Sequence, residues 1–318
     1  MSHRPRDAVP GDGQRGHGRR RHLTLGVVVV LAAALLAGCA ADDPPIRIGV
    51  LPWAEVEASA LLWAFVLEGE GYEIELVEVD ATSPGGIVRT GEVNAVDGVY
   101  RLLADGELDL WTGAWLPQTH APQLARFGDR MEELGTWYDG ASLTWAVPAI
   151  TDVRSIADLG DLADELGGVI VGIEPGSGHV RVSRDEVLPT YGLEDRFELQ
   201  IGSTPAMLTA LDRAVAAQRP IVVTLWQPHP AYGRYDLVDL EDPLGALGDP
   251  ERIAVLARDG FAADQPDVAA WLAAFAVDED PFAQLQAALD AAAPGAERDV
   301  VAAWVGEHRT EVDGWLGR

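Results

Sequence analysis

The chain has 318 residues, with 51 acidic side chains against 23 basic ones and a formal charge of −28. All of those basic side chains are arginine, and one cysteine is present. Such a surface excludes nucleic acid and other polyanions as partners, and a single thiol excludes an intramolecular disulfide.

The first 38 residues read as a leader. Arg4, Arg6, Arg15, Arg19, Arg20 and Arg21 precede an apolar run from Leu23 to Ala37, which ends in Leu36-Ala37-Gly38-Cys39. That is a basic region, an apolar region and small residues at a cleavage point, the form of a secretory signal. The run is shorter than the roughly 20 residues a membrane span needs. Cys39 after Leu-Ala-Gly resembles the lipobox of bacterial lipoproteins, in which the cysteine is diacylated and becomes the mature N-terminus. The plainer alternative is an ordinary signal with an incidental cysteine. Arg20-Arg21 hints at twin-arginine export, although the residues that follow fit poorly. The expectation is a protein outside the cytoplasm, held to the cell membrane by a lipid on Cys39, with residues 39–45 as a tether. Losing the leader removes six arginines but only Asp7 and Asp12 among acids, so the mature chain is more acidic still. Its length suits two lobes better than one.

Ile46–Leu51 (IRIGVL) has the composition of a buried parallel strand. Ala54–Gly69 carries helix-spaced apolar residues, and Tyr72–Asp80 alternates as a strand does. A polar, irregular segment, Ala81–Gly91, leads to a predicted helix over Asp97–Ala104 and a strand over Leu108–Trp111. Trp145–Ile150 is a further apolar strand, followed by loop and helix over Asp152–Leu166 and a buried strand over Val169–Ile173. That strand runs into Glu174-Pro175-Gly176-Ser177-Gly178-His179, ahead of a helix predicted at His179–Leu188. Thr204 is placed to cap the next helix, with Pro205 in its first turn and Met207, Leu208, Leu211 and Val215 on one face. Strands follow at Ile221–Leu225 and Ile253–Ala257, and amphipathic helices fill Asp267–Arg318. Alternating strands and helices predict an α/β fold with a mainly parallel sheet.

Catalytic motifs are missing. Gly176-Ser177-Gly178 lacks the G-x-S-x-G spacing of a nucleophile elbow. The histidines after the leader, His120, His179, His229 and His308, have no metal-ligand spacing. Acidic residues are too abundant for any pair to be informative. No enzyme, metal or cofactor is expected. The glycine turn at 176–178 lacks the ending of a P-loop and a full dinucleotide fingerprint. Two readings of it stand: an amide-lined cradle for a small anion such as a carboxylate, or a plain strand-to-helix turn.

The tryptophans carry more information. Trp63, Trp145, Trp271 and Trp304 lie in apolar patterns and read as core, as does Trp111 at a strand end. Trp53, Trp115 and Trp226 stand where strands end, each within two residues of a proline. Open α/β sheets bind ligands at the carboxyl ends of their strands. Taken singly each ring is more often packing than ligand contact; together, with no obvious acid among them, they are expected to form a cage for a quaternary ammonium held by cation–π attraction.

Several ordered blocks then point to one family. These are LPWAEVEA at 51–58, GELDLWTGAWLPQTH at 106–120, GTWYDG at 135–140, GIEPGSGHV at 172–180, STPAMLTAL at 203–211, PIVVTLWQPHPAYGRYDLVDLEDP at 220–243 and WVGEHRTEVDGW at 304–315. Over roughly residues 45–318 the chain resembles the glycine betaine/proline betaine substrate-binding proteins of ABC importers. The resemblance implies a two-lobed periplasmic-binding-protein fold (type II) with the ligand cleft between lobes, one of about 43–146 plus 254–318 and the other of about 147–253. It implies a tryptophan prism of Trp53, Trp115 and Trp226 around the trimethylammonium. It also implies a carboxylate site of His120 with the backbone amides of Gly178 and His179. The implied partner is a membrane permease; the alternatives are choline, carnitine or dimethylsulfoniopropionate as ligand, or a sensor domain in place of a transport role. His179 departs from an apolar residue common in the family, and Pro230 from a frequent aromatic after Pro-His.

Overall fold

The protein is described by a computed structural model over residues 44–79 and 95–318. The leader, Cys39, most of the tether and the polar segment Ala81–Gly91 lie outside the described residues.

Strand β1 (Ile46–Val50) leads into helix α1 (Ala54–Gly69), and β2 (Ile74–Glu78) returns parallel to β1. Helix α2 (Ala95–Ala104) precedes β3 (Leu110–Leu116), which joins the other side of β1, again in parallel. Helix α3 (Ala121–Phe127) follows, and then β4 runs unbroken through 18 residues, Met131–Pro148. Next come β5 (Val169–Val171), helix α4 (Gly178–Val182), β6 (Glu198–Gln200), helix α5 (Thr204–Ala216), β7 (Val222–Gln227) and β8 (Leu237–Asp239). Helix α4 continues through a π turn, Ser183–Val187, to Leu188–Thr190. After β9 (Glu251–Arg258) the chain closes with α6 (Pro266–Ala273), α7 (Glu279–Asp290), α8 (Glu297–Glu307) and α9 (Arg309–Trp315).

The strand order is β2-β1-β3-β9-β4-β7-β5-β6, with β8 on β4. Two parallel sets, β2-β1-β3 and β7-β5-β6, are joined by antiparallel pairings of β9 and β4. The expectation of a mainly parallel sheet is therefore corrected to a mixed one. Strand β4 pairs with β9 from Met131 to Ala141 and with β7 from Ser142 to Ala146. Only its last part, Trp145–Pro148, is legible as a strand, because its first half (MEELGTWYDG) holds glycines and acids in place of an apolar run.

Three further boundaries differ from expectation. Strand β3 extends to Leu116, so Trp115 lies inside a strand and not in a loop. Strand β7 likewise includes Trp226 and ends at Gln227. Helix α5 is capped by Ser203, whose hydroxyl accepts from Ala206 N–H, while Thr204 is its first residue.

The core fixes the start of α1, on which the site depends. Trp63 on α1 packs edge-on against Phe275 at 5.3 Å and near Trp315 at 6.1 Å. Trp137 of β4 stacks on Phe275 and donates its indole N–H to the Thr112 carbonyl at 2.7 Å. Such aromatic pairs each add about 0.5–1.5 kcal/mol beyond area burial. At the start of β3, between its neighbours in the sheet, Asp109 takes guanidinium bonds from Arg47 of β1 and Arg258 of β9. Those arginine bonds hold its carboxyl below the usual range against the opposing effect of burial.

Candidate ligand site

Trp53, Trp115, His120, Gly178, His179 and Trp226 all line one cavity, which counts about 310 Å³ of non-atom space out to its mouth. Four distant parts of the chain supply them.

Trp53 is the cap residue of α1, in extended conformation, with its carbonyl accepting from Glu57 N–H. Its indole N–H donates to Glu174 Oε2 at 3.2 Å. Glu174, buried just after β5, also accepts from the Thr204 amide and hydroxyl, both at 2.8 Å. One carboxylate thus ties the first cage ring, the glycine turn and the start of α5 together. That is where the Thr204 hydroxyl goes instead of capping its helix.

Trp115 and Trp226 share a second carboxylate. Trp115 Nε1–H donates to Glu55 Oε1 at 3.4 Å, and Trp226 Nε1–H to Glu55 Oε2 at 2.8 Å. Glu55 is the second residue of α1, 1% exposed, and lines the cavity with the three rings. The expectation that no acid stands among the aromatic rings is therefore wrong. Burial pushes the Glu55 carboxyl up to about 7, against its own backbone amide and the two indole donors, which favour the ionised form. Glu55 and Glu174 are the two side chains that sequence reasoning missed. The available signal was position: each is an acid in a largely apolar segment, Glu55 in Leu51–Ala64, where Glu57 is the other acid, and Glu174 in the turn after Val169–Ile173. In a chain with 51 acids that signal is easily passed over.

His120 is 2% exposed, stacked on Trp111 at 5.5 Å and edge-on to Tyr100. Its Nδ1 accepts from the Trp115 backbone N–H at 3.0 Å. A neutral imidazole with Nδ1 accepting carries its proton on Nε2. Burial, aided by the positive charge of Arg181, lowers its pKa to about 3, so the ring is a neutral donor at physiological pH. The turn before it is anchored by Glu251, which accepts from the amides of Gln118 and Thr119 and from the Thr119 hydroxyl.

Ser177 caps α4, its hydroxyl accepting from Val180 N–H at 3.1 Å. The amides of Gly178 and His179 occupy the next two positions, where no preceding carbonyl is available to an α-helix. Gly178 lies directly against the Thr119 methyl, and an added Cβ there has no room. The His179 ring bonds carbonyls of two strands, Thr144 O at 3.0 Å and Leu225 O at 2.8 Å, through Nε2. Its Nδ1 takes the Ser183 hydroxyl at 3.2 Å, and burial holds its pKa below the ordinary value. The side chain is a strut, and only its backbone amide is offered to the turn. The peptide bonds Leu116–Pro117 and Gln227–Pro228, after Trp115 and Trp226, are both cis.

Chemically, the arrangement brings aromatic surface, one acid and neutral N–H donors to the same cavity. Among the described residues no group of three or more His, Cys, Asp or Glu is placed to hold a metal ion.

A family model described as the substrate-binding domain of an ABC-type glycine betaine transport system matches residues 44–307. Among individual proteins, the glycine betaine/carnitine transport binding protein GbuC of Listeria monocytogenes is 35% identical over 106 residues. That stretch spans 33% of this chain and 35% of the relative's length. Two crystal structures share the fold at a TM-score of 0.76 and 27% identity, each over 86% of this chain. One is lactococcal OpuAC, closed on glycine betaine, covered over its full 100%; the other is the glycine betaine/L-proline-binding protein ProX of Borrelia burgdorferi, covered over 96%.

Proposed function

Since the chain belongs to the family of substrate-binding domains of ABC-type glycine betaine transport systems, we propose that it captures glycine betaine, or a close relative bearing both a quaternary ammonium and a carboxylate, and delivers it to the permease of an ABC importer. Protein and ligand part unchanged, with no catalytic step. The protein works outside the cytoplasmic membrane, freed of residues 1–38 and held there by acylation of Cys39.

One observation carries the reading: three indoles from separate elements meet around a single cavity, with their N–H edges tied back to buried carboxylates. An indole so tethered keeps its π face for another partner. A trimethylammonium has no N–H to donate, and aromatic faces match its diffuse charge and methyl surface at about 0.5–2 kcal/mol per ring. The ligand carboxylate takes the His120 Nε2–H and the amides of Gly178 and His179, each charge-assisted bond contributing roughly 1.5–3 kcal/mol. Two lobes, of about 43–146 plus 254–318 and about 147–253, close on the ligand. The exchange of partners along β4 between Ala141 and Ser142 supports a division near that point. Trp53, Trp115 and His120 then belong to one lobe and Gly178, His179 and Trp226 to the other, so only the closed form completes the cage.

Choline is the second reading, favoured by the acid at the cage, since Glu55 offers the counter-charge that a betaine carries within itself. Calorimetric titration of the purified protein with glycine betaine, carnitine and choline tests both. Saturable one-to-one binding of a betaine, abolished or greatly weakened in Trp115→Ala, is expected. Tighter binding of choline than of any betaine transfers the assignment to choline, and no binding of any quaternary amine at millimolar concentration refutes it altogether.

A further inference from the structure

We propose that the Glu55 carboxylate is a fourth, anionic wall of the cage, in contact with the ligand's quaternary ammonium, so that the site selects for positive charge as well as for a methylated surface. The proposal rests on the cage reading above and adds a residue to it.

Geometry carries it. Glu55 lines the cavity together with all three cage tryptophans, and its two oxygens each take one indole N–H, from β3 on one side and β7 on the other. A carboxylate has about four acceptor sites, and the two indoles with the Glu55 amide leave one of them over. Among the described residues no arginine forms an ion pair with Glu55, and the chain has no lysine. Glu174 makes the contrast. Equally buried and held by an amide, a hydroxyl and an indole, it is not among the residues that line the cavity. A buried acid held by its own amide and two indoles, all neutral, at the wall of a cavity, lacks the charged partner that buried charges ordinarily have. A bound cation supplies it.

A consequence in proton uptake follows. Burial holds the Glu55 carboxyl at about 7, and a cation against it favours the ionised form. Binding therefore releases a proton, and affinity falls as pH drops below 7, at up to about tenfold per pH unit. The other groups facing this position do not mimic the effect. Glu57, on the same helix and itself acted on by Glu78 of β2, pushes the Glu55 carboxyl up. His120 and His229, which packs on Trp226, are both held near 3 by burial, and His179 is held low. Arg181 acts on His120, and Arg298 of α8 pairs with Glu68 at the opposite end of α1.

The test is calorimetry of glycine betaine binding at pH 7 in buffers of differing ionisation enthalpy, on the unmodified protein and on Glu55→Gln. About half a proton released per ligand is expected from the unmodified protein, and none from the variant. Alongside, 3,3-dimethylbutanoate, the uncharged-head isostere of glycine betaine, is titrated against both proteins. Its disadvantage relative to glycine betaine shrinks by about tenfold or more in Glu55→Gln, the equivalent of one pKa unit. A residue that merely orients the indoles moves no proton on binding. Binding of glycine betaine to the unmodified protein without proton release overturns the proposal and leaves the cage intact, whether or not the variant folds. Failure of every quaternary amine to bind overturns the cage reading itself.

Discussion

Gly178→Ala isolates the closest approach between the glycine turn and the His120 turn. A Cβ at this position overlaps the Thr119 methyl, stands 3.2 Å from the Thr119 carbonyl oxygen and 3.6 Å from His120 Cδ2. Thr119 cannot swing aside, because its amide and hydroxyl are both committed to Glu251. Gly178 is the first residue of a helix, a conformation alanine favours, so the change reports contact and not backbone strain. Overpacking of this kind costs about 1–3 kcal/mol, which corresponds to roughly 5- to 150-fold weaker ligand binding if the contact belongs to the closed form. Calorimetry with glycine betaine measures it, and Thr119→Ser supplies the control: serine keeps the hydroxyl for Glu251 and removes the methyl. The double variant should regain part of the loss, with a coupling of about 1 kcal/mol, while the ligand-free melting temperature changes little in either protein. Unaltered affinity in Gly178→Ala, or no relief from Thr119→Ser, refutes the reasoning.

Three other outcomes follow from the site. Trp53→Leu keeps apolar bulk and removes one π face, weakening glycine betaine by about 2- to 30-fold; titration by intrinsic fluorescence of the remaining indoles reads this directly. His120→Ala should weaken glycine betaine far more than choline, which has no carboxylate for the Nε2 donor, and equal losses for both would remove His120 from the carboxylate site. Ligand-free Glu55→Gln should gain stability relative to the unmodified protein as pH rises. An acid whose carboxyl sits at about 7 when folded and near 4.5 when unfolded stabilises the fold fully below 4.5 and ceases to as pH climbs through 7. Urea melts between pH 4.5 and 7.5 check this, and a pH-independent difference between the two proteins contradicts the raised carboxyl.

The sequence made the aromatic half of the site legible and hid its acidic half. Tryptophans beside prolines at strand ends stand out because each is rare and costly to leave without purpose. Glu55 and Glu174 differ from dozens of surface acids only by being buried, and burial is a property of the assembled core. The same limit explains β4. Its first half earns its place in the sheet through a ladder with β9, more than a hundred residues away in the chain, and no local alternation marks it. Most strands of the parallel sets, by contrast, were visible because β1, β5 and β7 are apolar runs and β2 alternates, whereas the short β6 (ELQ) carries neither mark. The role of His179 was legible in part: its amide belongs to the turn, but its ring bonds to Thr144 and Leu225 arise from pairing of β4 with β7, a register the linear sequence does not disclose.

The indole tethers have a consequence for how this pocket can diverge. Phenylalanine and tyrosine also present a negative ring face to a cation, so by attraction alone any aromatic would serve at 115 or 226. Neither replaces the nitrogen-bound hydrogen that each of these rings gives to Glu55. Swapping a single ring strands a carboxylate oxygen in the dry interior, and changing Glu55 alone strands two indoles. Positions 55, 115 and 226 are therefore coupled, and a change at one alters what the other two can tolerate.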